Sequence, residues 1–98
     1  MIAFIDWEKP VFPISIVAEL LGVTPRCLRW YESEGLVIPS RTRGNTRLYS
    51  HRDIDTLRYV CHLIRSRGVN VQGVKVILEI RRYHNIESLE PESSDDGD

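Results

Sequence analysis

Apolar residues along this chain recur at helical spacing in four stretches, with extended and turn-rich segments between the second and third. After Ser15, the apolar positions Ile16, Val17, Leu20 and Leu21 fall at i, i+1, i+4 and i+5. That spacing predicts a helix with Ser15 as its N-cap and Gly22 as the residue that stops it. Thr24 and Pro25 open a second helix, with threonine at the cap and proline at the first helical position, where its missing N–H costs nothing. This second pattern runs to about Glu34 and ends at Gly35. A three-residue turn between two capped helices is helix-turn-helix spacing.

Leu36-Val37-Ile38-Pro39 reads as a short extended run at the edge of a small sheet. Arg41 to Tyr49 then alternates around Gly44-Asn45, a dipeptide suited to the positive-φ positions of a tight hairpin. Ser50 and Asp53 are spaced as a capping box. They open a third helix whose stripe is Ile54, Leu57, Val60, Cys61 and Ile64, with Gly68 at its end. Asn70 caps a fourth helix that turns Val71, Val74, Ile77 and Leu78 inward. On another face the same helix carries Val76, Ile80 and Tyr83, which one small core cannot also cover. That stripe is either partly exposed or a partner surface. The expected fold is mainly α: a winged helix-turn-helix with a two-stranded wing and two supporting helices.

Three segments follow. Residues 1–13 form an arm rich in apolar side chains (Phe4, Trp7 and Phe12 among them), which either packs back on the domain or reaches a second subunit. Residues 14–84 form the domain. Residues 85–98 turn to Glu, Ser, Asp, Gly and Pro, which reads as an acidic disordered tail, solubilising or competing with a polyanion for the basic body.

Composition sharpens this reading. A 98-residue chain with 42% hydrophobic residues suits one soluble domain with a single core. No apolar run nears the roughly 20 residues of a membrane span, and the first residues do not resemble a secretory signal. Cys27 and Cys61 lack metal-site or disulfide spacing, which points to reduced thiols in the cytoplasm. The net charge of −1 conceals an asymmetry, because all 13 Lys and Arg lie between Lys9 and Arg82. That span holds 6 acids, and 13 cations against 6 acids leave +7. A basic body is the electrostatic footprint expected toward a polyanion.

The chemistry follows the charge. Arg26 lies in the exposed first turn of the second helix, where helix-turn-helix proteins meet base edges, and Arg29 and Tyr31 follow on the same helix. Arginine forks onto guanine O6/N7 or onto phosphate, and tyrosine can donate to phosphate. Leu28 reads as core, and Trp30 as packing rather than contact. Arg41, Arg43 and Arg47 cluster on the hairpin with no intervening acid, and such a ribbon calls for an anionic partner. His51, His62 and His84 are scattered, with no catalytic or metal constellation, so no enzyme activity, cofactor or metal is expected. His51 reads as a first-turn surface residue. Cys27 reads as packing, with a redox role as the alternative.

Ile14 to Pro25, Leu28-Arg29-Trp30-Tyr31-Glu32, Gly35-Leu36-Val37, then Arg41, Asn45, Arg47 and Tyr49 together resemble the DNA-binding domain of the MerR family of bacterial transcription regulators. The likeness continues through Asp53-Ile54-Leu57 and Gly68-Val69-Asn70 to Ile80, and is most similar to the heat-shock repressor and glutamine-synthetase repressor branches. The resemblance implies a winged helix-turn-helix that binds a near-palindromic promoter site as a homodimer, in contact with RNA polymerase or a co-regulator. Those branches act mainly as repressors, which sets the expectation here. Arg29 and Tyr31 match the family's helix contacts, and Arg47 and Tyr49 its wing contacts; Arg26 and Arg43 are added from geometry. The full candidate DNA-contacting set is Thr24, Arg26, Arg29, Tyr31, Arg41, Arg43, Asn45, Arg47 and Tyr49. Candidate dimer residues are Phe4, Trp7, Phe12, Val76, Ile80 and Tyr83. Typical members continue into a long dimerisation helix and an effector or metal-binding region; the sequence shows neither, so ligand sensing does not carry over. The competing expectation is an architectural, excisionase-like DNA-binding factor without direct promoter control.

Overall fold

The computed structural model describes residues 6–87, the last three by their backbone alone. The elements run β1 (Phe12–Pro13), α1 (Ile14–Leu21), α2 (Pro25–Ser33), β2 (Ser40–Arg41), β3 (Arg47–Tyr49), α3 (His51–Cys61), a π-helical turn (His62–Ser66) and α4 (Val71–Glu87). The sheet has the order β1-β3-β2 and is antiparallel throughout, with Phe12 opposite Tyr49, Ser40 opposite Leu48 and Arg41 opposite Arg47.

The two expected hairpin strands therefore have a third neighbour, supplied by the arm. Val11 N–H donates to the Tyr49 carbonyl at 3.0 Å, and Arg52 N–H donates to the Trp7 carbonyl at 3.0 Å. Glu8 pairs with Arg52. His51 lies between two aromatic rings, with Phe12 at 4.8 Å and Trp7 at 5.3 Å, both edge-on. In the described residues the arm packs back on its own domain, and His51 is half-buried rather than a surface residue.

Helix α1 departs from the sequence reading. Pro13 rather than Ser15 is its N-cap, because Pro13 is still paired in β1 and the chain turns helical at once. The inward face is Val17 and Ala18, flanked by Ile14 and Leu21, at i, i+3, i+4 and i+7. Ile16 and Leu20 point outward, 42% and 55% exposed. A short helix that is apolar nearly all round does not reveal its buried face by periodicity, and Ala18 was the missing member. Gly22 ends α1 in the left-handed region at φ 69°, as a C′ glycine does.

The expected strand at Leu36–Pro39 is absent; Leu36 and Val37 are instead a buried plug, and pairing starts at Ser40. The Ser50–Asp53 capping box is present, with Asp53 N–H donating to Ser50 Oγ and Ser50 N–H to Asp53 Oδ2, both at 3.0 Å. Helix α3 widens before Gly68, where Arg67 N–H donates to the His62 carbonyl, five residues back, at 3.1 Å. Asn70 Oδ1 accepts from Gly73 N–H at 2.8 Å and starts α4. That helix continues through Glu87, past the composition change at Asn85. Residues 88–98, the rest of the expected tail, lie outside the described residues.

One core joins these elements. Val17 from α1, Leu28 and Tyr31 from α2, Tyr49 from β3, Leu57 and Val60 from α3, and Val74 from α4 are each almost wholly buried. Burying a side chain of this size stabilises the fold by about 1.5–3 kcal/mol, before the entropy cost of ordering it. The core fixes α2 against α1 and α3, and so decides which residues of α2 face outward.

Candidate nucleic-acid interface

Helix α2 starts where its sequence says it should. Thr24 Oγ1 accepts from Cys27 N–H at 3.1 Å, and Pro25 follows at the first position. Leu28 and Tyr31, three residues apart, face the core. Their burial turns Arg26, Arg29 and Trp30 to solvent. Neither Arg26 nor Arg29 joins an ion pair among the described residues. Trp30, expected to pack inward, is about half exposed and tilts over the neighbouring Tyr31 ring at 5.5 Å.

The wing is a three-residue hairpin loop, Arg43-Gly44-Asn45. Thr42 N–H donates to the Thr46 carbonyl and Asn45 N–H to the Thr42 carbonyl, both at 2.9 Å. Asn45, not Gly44, takes the left-handed conformation, at φ 69°. A turn closed by one left-handed residue is a common hairpin form, and Asn tolerates that region better than other side-chain-bearing residues. Thr46 N–H also donates to Thr42 Oγ1 at 3.1 Å, which stiffens the loop. Arg43 stands exposed at the tip with no ion pair among the described residues.

The remaining wing arginines are differently placed. Arg47 Nε donates to Glu32 Oε1 at 2.6 Å, and Arg41 Nη2 donates to Glu32 Oε2 at 3.1 Å. Arg41 Nη1 also donates to the Asn45 carbonyl at 3.2 Å. Glu32, on α2, is thus the acid that the hairpin sequence lacked. Burial works to raise its carboxyl, but the hydrogen bonds from Arg47 and Arg41 outweigh that and hold it below the ordinary carboxylate range. The pattern Trp30-Tyr31-Glu32 contained this residue, but nothing in its spacing tied it to arginines 9 and 15 residues further on.

Two of the expected contact residues are buried. Tyr31 and Tyr49 are each only 1% exposed. Burial pushes the Tyr31 phenol far above its usual range, with Cys27 and Cys61 adding to the effect. Burial also raises Tyr49, with Glu32 adding to it, and the Tyr49 hydroxyl has no hydrogen-bond partner among the described residues. These rings build the core under the surface, and neither presents its hydroxyl to a ligand here. The Thr24 side chain caps α2, and Asn45 Oδ1 accepts from Arg41 Nη1 at 3.4 Å.

The candidate dimer residues also divide. Val76, Ile80 and Tyr83 form an exposed stripe on α4, and Trp7 is more than half exposed. Phe12 is spent on its own domain, against His51 and the core, and Phe4 lies outside the described residues. A cavity of about 480 Å³, lined by Trp7, Ile38, Asp55, Leu78 and Arg81 among others, contains none of the α2 or wing arginines. The cationic surface is therefore exposed rather than enclosed. Among the described residues no cluster of His, Cys, Asp or Glu could hold a metal ion, and no helix is long and apolar enough to cross a membrane.

The family described as MerR HTH family regulatory protein matches residues 12–81, from β1 through most of α4. The chain belongs to the MerR family. It is 47% identical over 73 residues to the putative heat shock protein HspR of Streptomyces coelicolor, covering 74% of this chain and 48% of that protein. It is 44% identical over 71 residues to the transcriptional regulator GlnR of Bacillus anthracis, covering 72% of this chain and 54% of the relative. The chain thus spans about half the length of these MerR-family relatives. Among solved structures, the transcription regulator PbrR691 from Ralstonia metallidurans, in complex with lead(II), superposes with a TM-score of 0.67 at 26% identity. The match covers 74% of this chain and 57% of that one. HiNmlR, a MerR family regulator lacking the sensor domain and bound to promoter DNA, shares the fold with a TM-score of 0.60 at 23% identity, over 69% and 54% of the two chains.

Proposed function

We propose that this chain is a sequence-specific, duplex-DNA-binding transcription regulator that acts as a repressor in the bacterial cytoplasm. Helix α2 enters the major groove, and the wing lies along the flanking backbone. The observation that carries this reading is the placement of Arg26 and Arg29 on α2 and Arg43 on the wing tip, exposed and without acidic partners among the described residues. Exposed arginines on a helix-turn-helix and its wing are suited to base edges and phosphates. A homodimer joined through the Val76/Ile80/Tyr83 stripe, with Trp7 at the margin, would present two such faces to a near-palindromic site. Repression by covering promoter DNA, with RNA polymerase or a co-regulator as the protein partner, follows the branches that the sequence resembles. Relatives named as transcriptional regulators, and HiNmlR bound to promoter DNA, support the reading.

Selection of genomic fragments bound by the purified chain tests it, with the chain's mass in solution measured in parallel. Inverted repeats within promoters, bound by a dimer, are expected. Direct repeats away from promoters, bound by monomers assembling along the duplex, would replace this reading with the architectural one.

A further inference from the structure

Glu32 is an acid among the wing arginines. It sits on α2 three residues beyond Arg29, and each of its carboxylate oxygens takes one of them, Arg47 at 2.6 Å and Arg41 at 3.1 Å. The Glu32 side chain is only 17% exposed, so both bonds are partly shielded from water. Arg41 then reaches on to Asn45, through its carbonyl and, at 3.4 Å, its side-chain oxygen. A line of charge-assisted hydrogen bonds thus runs from α2 through Arg41 to the loop tip. Strands β2 and β3 have two and three residues. Tyr49 and β1 hold β3 on the domain, but among the described residues β2 pairs with β3 alone. A ladder that short leaves the angle of β2 and the loop to α2 in need of a further tie.

On charge alone, a carboxylate beside a phosphate-binding surface is a handicap, because it repels the ligand. We propose that Glu32 is a positioning residue for DNA recognition. It fixes the reach and angle of the wing relative to α2, so that Arg26, Arg29 and Arg43 address one duplex in a single register. It also keeps Arg41 and Arg47 paired, which restrains indiscriminate attraction to phosphate. This inference rests on the duplex-DNA reading. Its signature is a change of opposite sign in two affinities.

The experiment compares the full chain with Glu32→Gln, using a duplex recovered by the fragment selection and a random-sequence duplex of equal length, across a salt series. Amide hydrogen exchange at Thr42 and Thr46 is followed in the DNA-free protein. For Glu32→Gln, affinity for the selected duplex falls about three- to tenfold, the size expected from losing a partly exposed charged tie. Affinity for the random duplex rises at low salt, and its log–log salt slope steepens by about 0.9 for each arginine released onto a phosphate. Thr42 and Thr46 exchange faster. A rise in both affinities, or unchanged exchange at both threonines, would overturn the proposal.

Glu34→Gln removes the same charge from the end of α2 but breaks only a 3.8 Å pair with Lys75, so it leaves the two affinities in their original ratio. An equal response to both substitutions would show that net charge alone matters, and would also overturn the proposal. Glu32→Asp keeps the charge and shortens the reach. It lowers affinity for the selected duplex and leaves the random duplex unchanged; undiminished affinity for the selected duplex counts against the proposal. If the wild-type chain prefers no duplex, the functional reading fails, while exchange in the DNA-free protein still decides whether Glu32 anchors the wing.

Discussion

Among the described residues, Arg26 and Arg29 on α2 pair with no acid, whereas Arg41 and Arg47 on the wing are both held by Glu32. The helix can leave its cations unrestrained because its backbone is already fixed by the Thr24 cap and by Leu28 and Tyr31 in the core. The wing is footed on one side only: Tyr49 holds β3 in the core and β1 pairs with it, while β2 and the loop, with Arg43 at its tip, are exposed. Its arginines therefore supply rigidity first. The cations on the fixed helix are available to a ligand, while Arg41 and Arg47 are spent in part on the wing itself.

That contrast can be attacked at four points. The most damaging is Leu28→Ala, which opens a cavity under α2 and is expected to cost about 2–5 kcal/mol of stability by denaturant unfolding. It removes the footing of the helix, and with it the difference between the two regions. Arg29→Ala leaves the fold intact and costs about 1–3 kcal/mol of specific binding if its guanidinium forks onto a base, with relaxed preference at one base pair in a binding titration. Arg43→Ala weakens all sequences alike and lowers the salt slope by about 0.9, one phosphate's worth. Arg47→Ala, by contrast, frees half of the Glu32 carboxylate and loosens the wing, so its loss concentrates on the selected duplex. Identical losses from the two wing substitutions would erase the distinction between a free and a tethered arginine.

The smallest expected effect is the pH dependence of the tether. The Glu32 carboxyl is depressed in the folded protein, so its stabilising contribution is complete above the ordinary value of 4.5 and is lost as pH falls through the lower folded value. Thr42 and Thr46 amide signals followed by NMR through acid titration should hold steady down to that ordinary value and shift only below it. A change centred at or above 4.5 would mean that the arginines do not hold the carboxylate.

Most local signals were legible in the sequence, Ser15 as a helix cap being the exception. Gly22, Thr24-Pro25, the Ser50–Asp53 box and Asn70 each do what their types and spacing suggest. The exposed stripe on α4 was legible too, because one small core cannot cover two faces of the same helix. Long-range partners were not. β1 joins β3 across 35 residues, and Glu32 meets arginines from two strands; neither relation leaves a periodic trace. The tyrosines misled for a different reason. A phenol is both large enough to fill a core and polar enough to contact phosphate, and at Tyr31 and Tyr49 burial won.

Among the described residues, the order β1-β3-β2 places a three-residue strand at the centre and two-residue strands on both sides. One outer strand ends in Pro13, which has no amide hydrogen to offer a newcomer, and the other is interrupted after Arg41 by the loop. Short outer strands, one closed by proline and one ending in a cation, are poor templates for adding another strand. This sheet is therefore blunted against growth, so neighbouring copies of the chain would not be expected to zip together edge to edge.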